Sequence, residues 1–506
     1  MSILIILMIL SNFIIVYIYF LAVKDRVYNN RLFLFLILSG LICMICISSL
    51  FLRFFIYSNN SIQYKIPKTL YDRNGLVIAY TSKKGQLYIN PNMVTDVNMV
   101  YDYIKQYKNI TIDEFNNIMK NNKYMKVIDE LPMDFINIKH INGLEIQYKQ
   151  VRKYPLGKMV TSIGYNNMNH GITTGLERLI VEKEQDIYST IDTRSQIILA
   201  QQIEESELYN NDENNLVFGL IMNLNGEIEA IHYTSCPDPN IDKPKIPVHP
   251  IFGCTYELGS VCKLFTLWSG INENIIDADS LIPNKQITYI EGRAVYNHIQ
   301  FDKPLVTPYE MMGLSLNGPI IYIGKALGDT ALRNLRNFGV LDSININGIC
   351  TPRGSIPKNP TKGDMATMCF GYAISINIVS FCRAICGIFN QGIINNPTMI
   401  MNHKTNIYNK INSKTCRKTK EIMLKCVQSK VFAELSAAAK TGTVYCRFNN
   451  QYIKDRYNIF VWATITNNDD EIIKIIFIGA LRTNKLSIHV SNLAADIAKR
   501  LNISFF

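Results

Sequence analysis

Ser260 and Lys263 lie in the stretch Tyr256-Glu-Leu-Gly-Ser-Val-Cys-Lys-Leu-Phe-Thr266, which sets a hydroxyl and an amine three residues apart at the head of an apolar run. Leu264, Phe265, Leu267 and Trp268 predict a helix there, and helical residues i and i+3 share a face, so the amine can reach the hydroxyl. That is the arrangement of a serine nucleophile carrying its own base. Gly259 lets the chain turn sharply into the helix. S-x-x-K alone is a common tetrapeptide, but two further motifs follow it. Ser315-Leu316-Asn317 offers a second hydroxyl and an amide, and Lys440-Thr441-Gly442-Thr443 offers a second amine and two hydroxyls around a glycine.

S-x-x-K, a Ser-x-Asn motif and Lys-Thr-Gly in this order form the signature of penicillin-binding proteins and serine β-lactamases, and the chain resembles the former. Tyr71-Asp-Arg-Asn-Gly-Leu-Val-Ile-Ala79 resembles the segment that opens the pedestal domain of class B penicillin-binding proteins. Arg152-Lys-Tyr-Pro155, Ile163-Gly-Tyr165 and Gly175-Leu-Glu177 resemble later pedestal blocks, and Cys236-Pro-Asp-Pro-Asn240 and Phe370-Gly-Tyr372 match landmarks of the transpeptidase domain. The short interval between Gly164 and Gly175 is that of the division enzymes rather than the elongation enzymes. The likeness departs at Ala373-Ile-Ser-Ile-Asn377, where relatives carry a Gly and a Thr-Pro, and at Gln428-Ser-Lys-Val431, where a Gly-Thr-Gly block is missing. The stretch between Glu177 and Asp192 is also shorter than in relatives.

The resemblance implies an α+β fold: a membrane anchor (residues 1–57), a mixed pedestal (58–190) and a serine β-lactamase-like transpeptidase domain (191–506), an antiparallel sheet flanked by helices. It implies that Ser260 attacks the carbonyl between the last two D-alanines of a peptidoglycan stem peptide, with Lys263 neutral to take the proton. Ser315 would relay that proton to the leaving amine, and Asn317 would hold Lys263 and the substrate amide. Lys440, Thr441 and Thr443 would receive the terminal carboxylate, and Gly442 would keep the strand bare for substrate. The N–H groups of Ser260 and Thr443 would form an oxyanion hole. Asp72, Arg73, Arg152 and Glu177 are expected to hold the pedestal blocks together. β-Lactams, a membrane glycan polymerase and other division proteins are the partners implied. A weakly active or non-catalytic division scaffold and an elongation-type transpeptidase are the alternatives.

The rest of the chain bears on where such a site stands. At 506 residues with 48% apolar composition there is room for more than one core. The net charge of +11 is spread without a dense basic tract, which excludes a nucleic-acid partner and fits an anionic membrane surface. Met1–Val23 and Leu32–Leu52 are uncharged runs long enough to span a bilayer. Lys24, Arg26 and Arg31 between them mark a cytoplasmic loop and set the catalytic domain in the periplasm at the inner membrane. The 7 histidines are scattered and the 12 cysteines show no framework, so neither a metal, another cofactor nor disulfides are expected; Cys382 and Cys386 read as buried thiols. Too little chain precedes Asp72 for a glycan-polymerising domain.

Gln86–Asn90 is predicted as a short strand and Ile112–Val127 as a charged helix. Leu216–Met222 and Glu227–Tyr233 read as a hairpin around Asn223-Leu-Asn-Gly226, and Asn458–Thr466 and Glu471–Leu481 as a second pair. Ser487–Leu501 reads as a closing helix.

Overall fold

The computed structural model describes residues 67–131, 141–167, 172–209, 215–241, 248–402, 406–426, 432, 434–448, 451–467 and 469–502. The two expected membrane spans and Gln428–Val431 lie outside the described residues. Among those described, no helix is long and apolar enough to cross a membrane.

In the first part of the chain, the Asp72 carboxylate accepts the N–H groups of Asn74 and Leu76 at 2.8 Å each and so folds the Asp-Arg-Asn-Gly segment into a tight turn. That turn returns Leu70–Tyr71 antiparallel onto the strand Val77–Ile89. The long strand then pairs antiparallel with Leu144–Lys153 along its length and with Met125–Leu131 at its far end. A small core of Leu87, Ile89, Val100, Ile104 and Phe115 forms where two short helices, Val97–Lys105 and Ile112–Lys120, cover this sheet. Two expectations change here. The predicted strand at Gln86–Asn90 is the end of a thirteen-residue strand. The predicted helix at Ile112–Val127 stops at Lys120, because Asn122 takes a left-handed φ of 46° and Met125–Leu131 joins the sheet.

The larger part is built on a five-stranded antiparallel sheet in the order Ala439–Phe448, Gln451–Thr466, Ile472–Thr483, Leu216–Asn223, Ile228–Tyr233. Both predicted hairpins are present in it, the first within a residue of its expected bounds and the second with a leading strand that starts at Gln451 rather than Asn458. Side chains alternate across the sheet. Val217, Ile221, Ile459 and Ile478 pack beneath the helices Thr193–Glu204 and Ser487–Asn502, the latter being the predicted closing helix. Phe218, Phe460, Trp462 and Phe477 face the other way, toward Lys263–Asn272 and Ile378–Phe389. Apart from Lys263, Asn272 and Arg383, those two helices carry apolar and small residues on every side and are buried accordingly. Cys382 and Cys386 are among the buried residues.

Asp72 and Arg73 tie the two parts together. The other Asp72 oxygen accepts Thr193 N–H at 3.2 Å, the Arg73 N–H donates to Ile191 O, and the Arg73 guanidinium reaches Glu229 at 2.7 Å. Arg152, almost sealed from water, donates through Nε and Nη2 to Glu177 at 3.0 and 2.9 Å and through Nη1 to Lys68 O at 2.6 Å. Burial, opposed by Arg152 and Tyr154, raises the Glu177 carboxyl above its usual range.

Candidate active site

Gly259–Cys262 forms a short 3-10 turn, and the α-helix begins at Lys263. A 3-10 turn thus carries Ser260 into the expected helix, and its three-residue repeat keeps residues i and i+3 on one side. Lys263 Nζ donates to Ser315 O at 2.7 Å, Ser315 Oγ at 3.2 Å and Asn317 Oδ1 at 2.7 Å. The Ser260 hydroxyl makes no hydrogen bond among the described residues; it opens into a groove of about 950 Å³ shared with Asn317, Thr443, Tyr296 and Tyr372.

The nucleophile turn is clamped from three sides. Gly259 N–H donates to Gly371 O at 3.1 Å, and Trp462 Nε1 donates to Val261 O at 3.3 Å from the sheet. At Gly442, an added Cβ would stand 2.4 Å from Leu258 O and 3.2 Å from Val261 N. The glycine thus lets the strand press onto the turn that carries Ser260, a closer constraint than leaving the strand bare for substrate.

Ala439–Phe448 is an edge strand, so one row of its backbone groups is unpaired by the sheet. The Thr443 carbonyl faces off that edge and accepts the Tyr372 hydroxyl at 3.3 Å. N–H and C=O of one strand residue point to the same side. The Thr443 N–H therefore also looks off the edge, on the side of the nucleophile turn.

Lys440 enters from the same strand and donates to Ser315 Oγ at 2.8 Å and to Thr441 O at 3.1 Å. Ser315 is thus a hydroxyl shared between two amines. Its backbone holds a φ of 54°, a left-handed conformation costly for a residue with a Cβ, so the surrounding hydrogen bonds keep a strained position in place. Lys263 and Lys440 are both fully sealed from water, and neither forms an ion pair among the described residues. Burial first and Lys440 second hold Lys263 well below the usual lysine range. Burial brings Lys440 down to about 7. Protonation at Lys263 is thereby disfavoured, which is the condition for a proton acceptor.

Asn317 heads the helix Asn317–Leu327 and donates through Nδ2 to Tyr296 O at 2.8 Å. Its own N–H and that of Gly318 are received by Asn297 Oδ1, at 2.8 and 3.0 Å. Asn297, which nothing in its sequence surroundings marked out, thus caps the helix that aims Asn317 at Lys263. His298 beside it lines the groove; burial, then Lys263 and Lys440, lower its imidazole below the usual range. Glu257 was also missed, and its carboxylate accepts Ala373 N–H at 3.0 Å behind the Phe370-Gly371-Tyr372 wall.

Of the eight residues named from the three motifs, Ser260, Asn317 and Thr443 line this groove and Lys263, Ser315, Lys440 and Gly442 meet behind it, while Thr441 contributes its carbonyl to Lys440. Residues 218–501 match the family described as penicillin binding protein transpeptidase domain. The chain is similar to the peptidoglycan D,D-transpeptidase FtsI of Buchnera aphidicola subsp. Baizongia pistaciae (strain Bp), at 22% identity over 83% of this chain and 82% of the relative. Its fold is similar to the crystal structure of penicillin binding protein 2X from Streptococcus thermophilus. The TM-score is 0.72 at 16% identity, with 87% of this chain and 79% of that chain covered.

Proposed function

We propose a wall cross-linking role for this chain, which belongs to the penicillin-binding protein transpeptidase family. The reading is a peptidoglycan D,D-transpeptidase of class B division type that acts in septal synthesis. The observation that carries it is the pair of buried, acid-free amines converging on Ser315 behind an unbonded Ser260 hydroxyl.

In this reading Ser260 Oγ attacks the carbonyl between the terminal D-alanines, and neutral Lys263 takes the hydroxyl proton. Rotation about the Ser260 and Lys263 side chains brings the two atoms together, since catalytic hydrogen bonds tighten only with substrate bound. Charge on the tetrahedral oxygen is met by the Ser260 and Thr443 N–H groups. The proton moves from Lys263 through Ser315 Oγ to the departing D-alanine amine, and Lys440 keeps that hydroxyl oriented. Thr441 and Thr443, with Lys440 behind them, receive the terminal carboxylate. The amine of a neighbouring stem peptide then opens the acyl-enzyme and forms the cross-link. The N-terminal apolar runs anchor the protein in the inner membrane with this domain in the periplasm, beside a membrane glycan polymerase that supplies the strands. The boundary between pedestal and transpeptidase domains falls near residue 190.

Labelling membranes with a fluorescent penicillin tests the reading. The native chain takes the label and Ser260→Ala does not. Equal labelling of the two, or none of the native chain, overturns the acyl-enzyme in favour of a scaffold. Depleting the protein separately checks the division assignment: filaments without septa are expected, and rounded cells that still divide would point to elongation.

A further inference from the structure

A second cavity, of about 690 Å³, shares no lining residue with the Ser260 groove. It lies between the loop that follows the helix Asp329–Asn337, the helix Ile378–Phe389 and the strand Ile407–Lys410, and the proposed reaction makes no use of it. Its lining is polar: the amides of Asn345, Asn347, Asn396 and Asn406, and the guanidinium groups of Arg353 and Arg383.

Arg383 is the unusual member. It is 2% exposed, on a helix otherwise made of apolar and small residues. Its guanidinium lies 3.9 Å from the centre of the Tyr408 ring and donates through Nη2 to Gly339 O at 2.7 Å and through Nη1 to Asn396 Oδ1 at 3.3 Å. Room for this stack depends on Gly339, where an added Cβ would run into Arg383 Nη2 and the Tyr408 ring. Arg383 Nε has no hydrogen-bond partner among the described residues, an uncommon state for a buried donor. Asp342, at 3.8 Å from Nη2, is the nearest acid, and it already accepts the Tyr408 hydroxyl at 2.6 Å. Two guanidinium groups against the single carboxylate of Asp342 leave the cavity short of negative charge, and planar guanidinium groups match a carboxylate.

We propose that this cavity binds a small carboxylate-bearing ligand rich in hydrogen-bonding groups. Its carboxylate sits against Arg383 and Arg353, and its hydroxyl or amide groups meet the asparagines. A sugar acid and the C-terminal carboxylate of a short peptide share this chemistry, and the probes separate them: N-acetylmuramic acid, D-alanyl-D-alanine, and N-acetylglucosamine as the sugar without a carboxylate.

Isothermal titration of the full chain in detergent with each probe tests the site. At least one carboxylate probe is expected to bind at or below about 1 mM, while N-acetylglucosamine does not. Asn406→Trp, which fills the cavity from an exposed position, abolishes that heat, and the exposed rim substitution Arg353→Ala weakens binding severalfold. Unliganded melting temperatures of both variants at the native value exclude misfolding. Binding that survives Asn406→Trp belongs to another site, such as the Ser260 groove, and overturns the proposal. So does the absence of heat with both carboxylates, or equal binding of the neutral sugar.

Discussion

The Arg152–Glu177 pair and the Lys263–Lys440 pair are equally sealed from water, yet they are opposite in design. Arg152 meets a carboxylate with two of its nitrogens and carbonyl oxygen with the third, so the charge it buries is answered on the spot. Lys263 and Lys440 meet only hydroxyl, amide and carbonyl oxygens, and Lys440 adds to the burial that disfavours a proton on Lys263. Burial therefore does not separate a structural charge from a reactive one; the sign of what surrounds it does. An answered pair becomes costly when one partner is removed. Two unanswered amines give stability up and hold a proton acceptor at neutral pH.

The largest contrast is expected from removing one member of each pair. Arg152→Ala leaves Glu177 buried and alone, which costs about 3–5 kcal/mol. The midpoint of chemical denaturation should fall accordingly, with the penicillin acylation rate of the remaining folded protein near native. Lys263→Met should do the reverse: acylation slows by about 10²–10⁴ through loss of the proton acceptor, while the denaturation midpoint moves little. A Lys263→Met protein as unstable as Arg152→Ala would erase the distinction.

Acidity gives a second contrast. Lys440 titrates at about 7 in the folded chain and at the usual lysine value of 10.5 when unfolded. Between those limits the unfolded state binds more protons, so this group makes stability rise with pH; below about 7 both states are protonated and its contribution is flat. Lys440→Met removes that slope. The stability of the native chain relative to Lys440→Met, followed by denaturation from pH 6 to 10, should therefore climb above pH 7. The acylation rate of the native chain should rise over the approach to pH 7 as Lys440 loses its proton. A pH-independent stability difference would mean that Lys440 keeps an ordinary affinity for protons.

Much of this was readable because the motifs carry chemistry in their residue types, and the two hairpins announce themselves as apolar, β-rich runs around Asn-Gly and Asn-Asp turns. What escaped was set by partners distant in the chain. Val77–Ile89 outruns its own apolar pattern because three separate segments supply its hydrogen bonds. Asn297 acts by capping a helix that starts twenty residues later, and no local pattern marks such a residue. Spacing placed Lys263 on the face of Ser260, but the groups its amine meets, Ser315 and Asn317, come from 52 and 54 residues further along the chain. The likeness to relatives showed Ala373 in place of a glycine without giving the backbone reason.

That reason supplies the smallest test. Ala373 holds a φ of 56°, a conformation that costs a Cβ-bearing residue about 1–2 kcal/mol, and its N–H is committed to Glu257 beside the groove wall. Ala373→Gly relieves the strain at the price of a looser unfolded chain, so a net gain of at most about 1 kcal/mol is expected, read as a small rise in denaturation midpoint. The substitution touches neither amine. If it leaves the pH profile of acylation unchanged, strain in the groove wall and charge behind the nucleophile are independent features of the site. A shifted profile would mean that the backbone at Ala373 helps set the distance between Ser260 and its buried lysines.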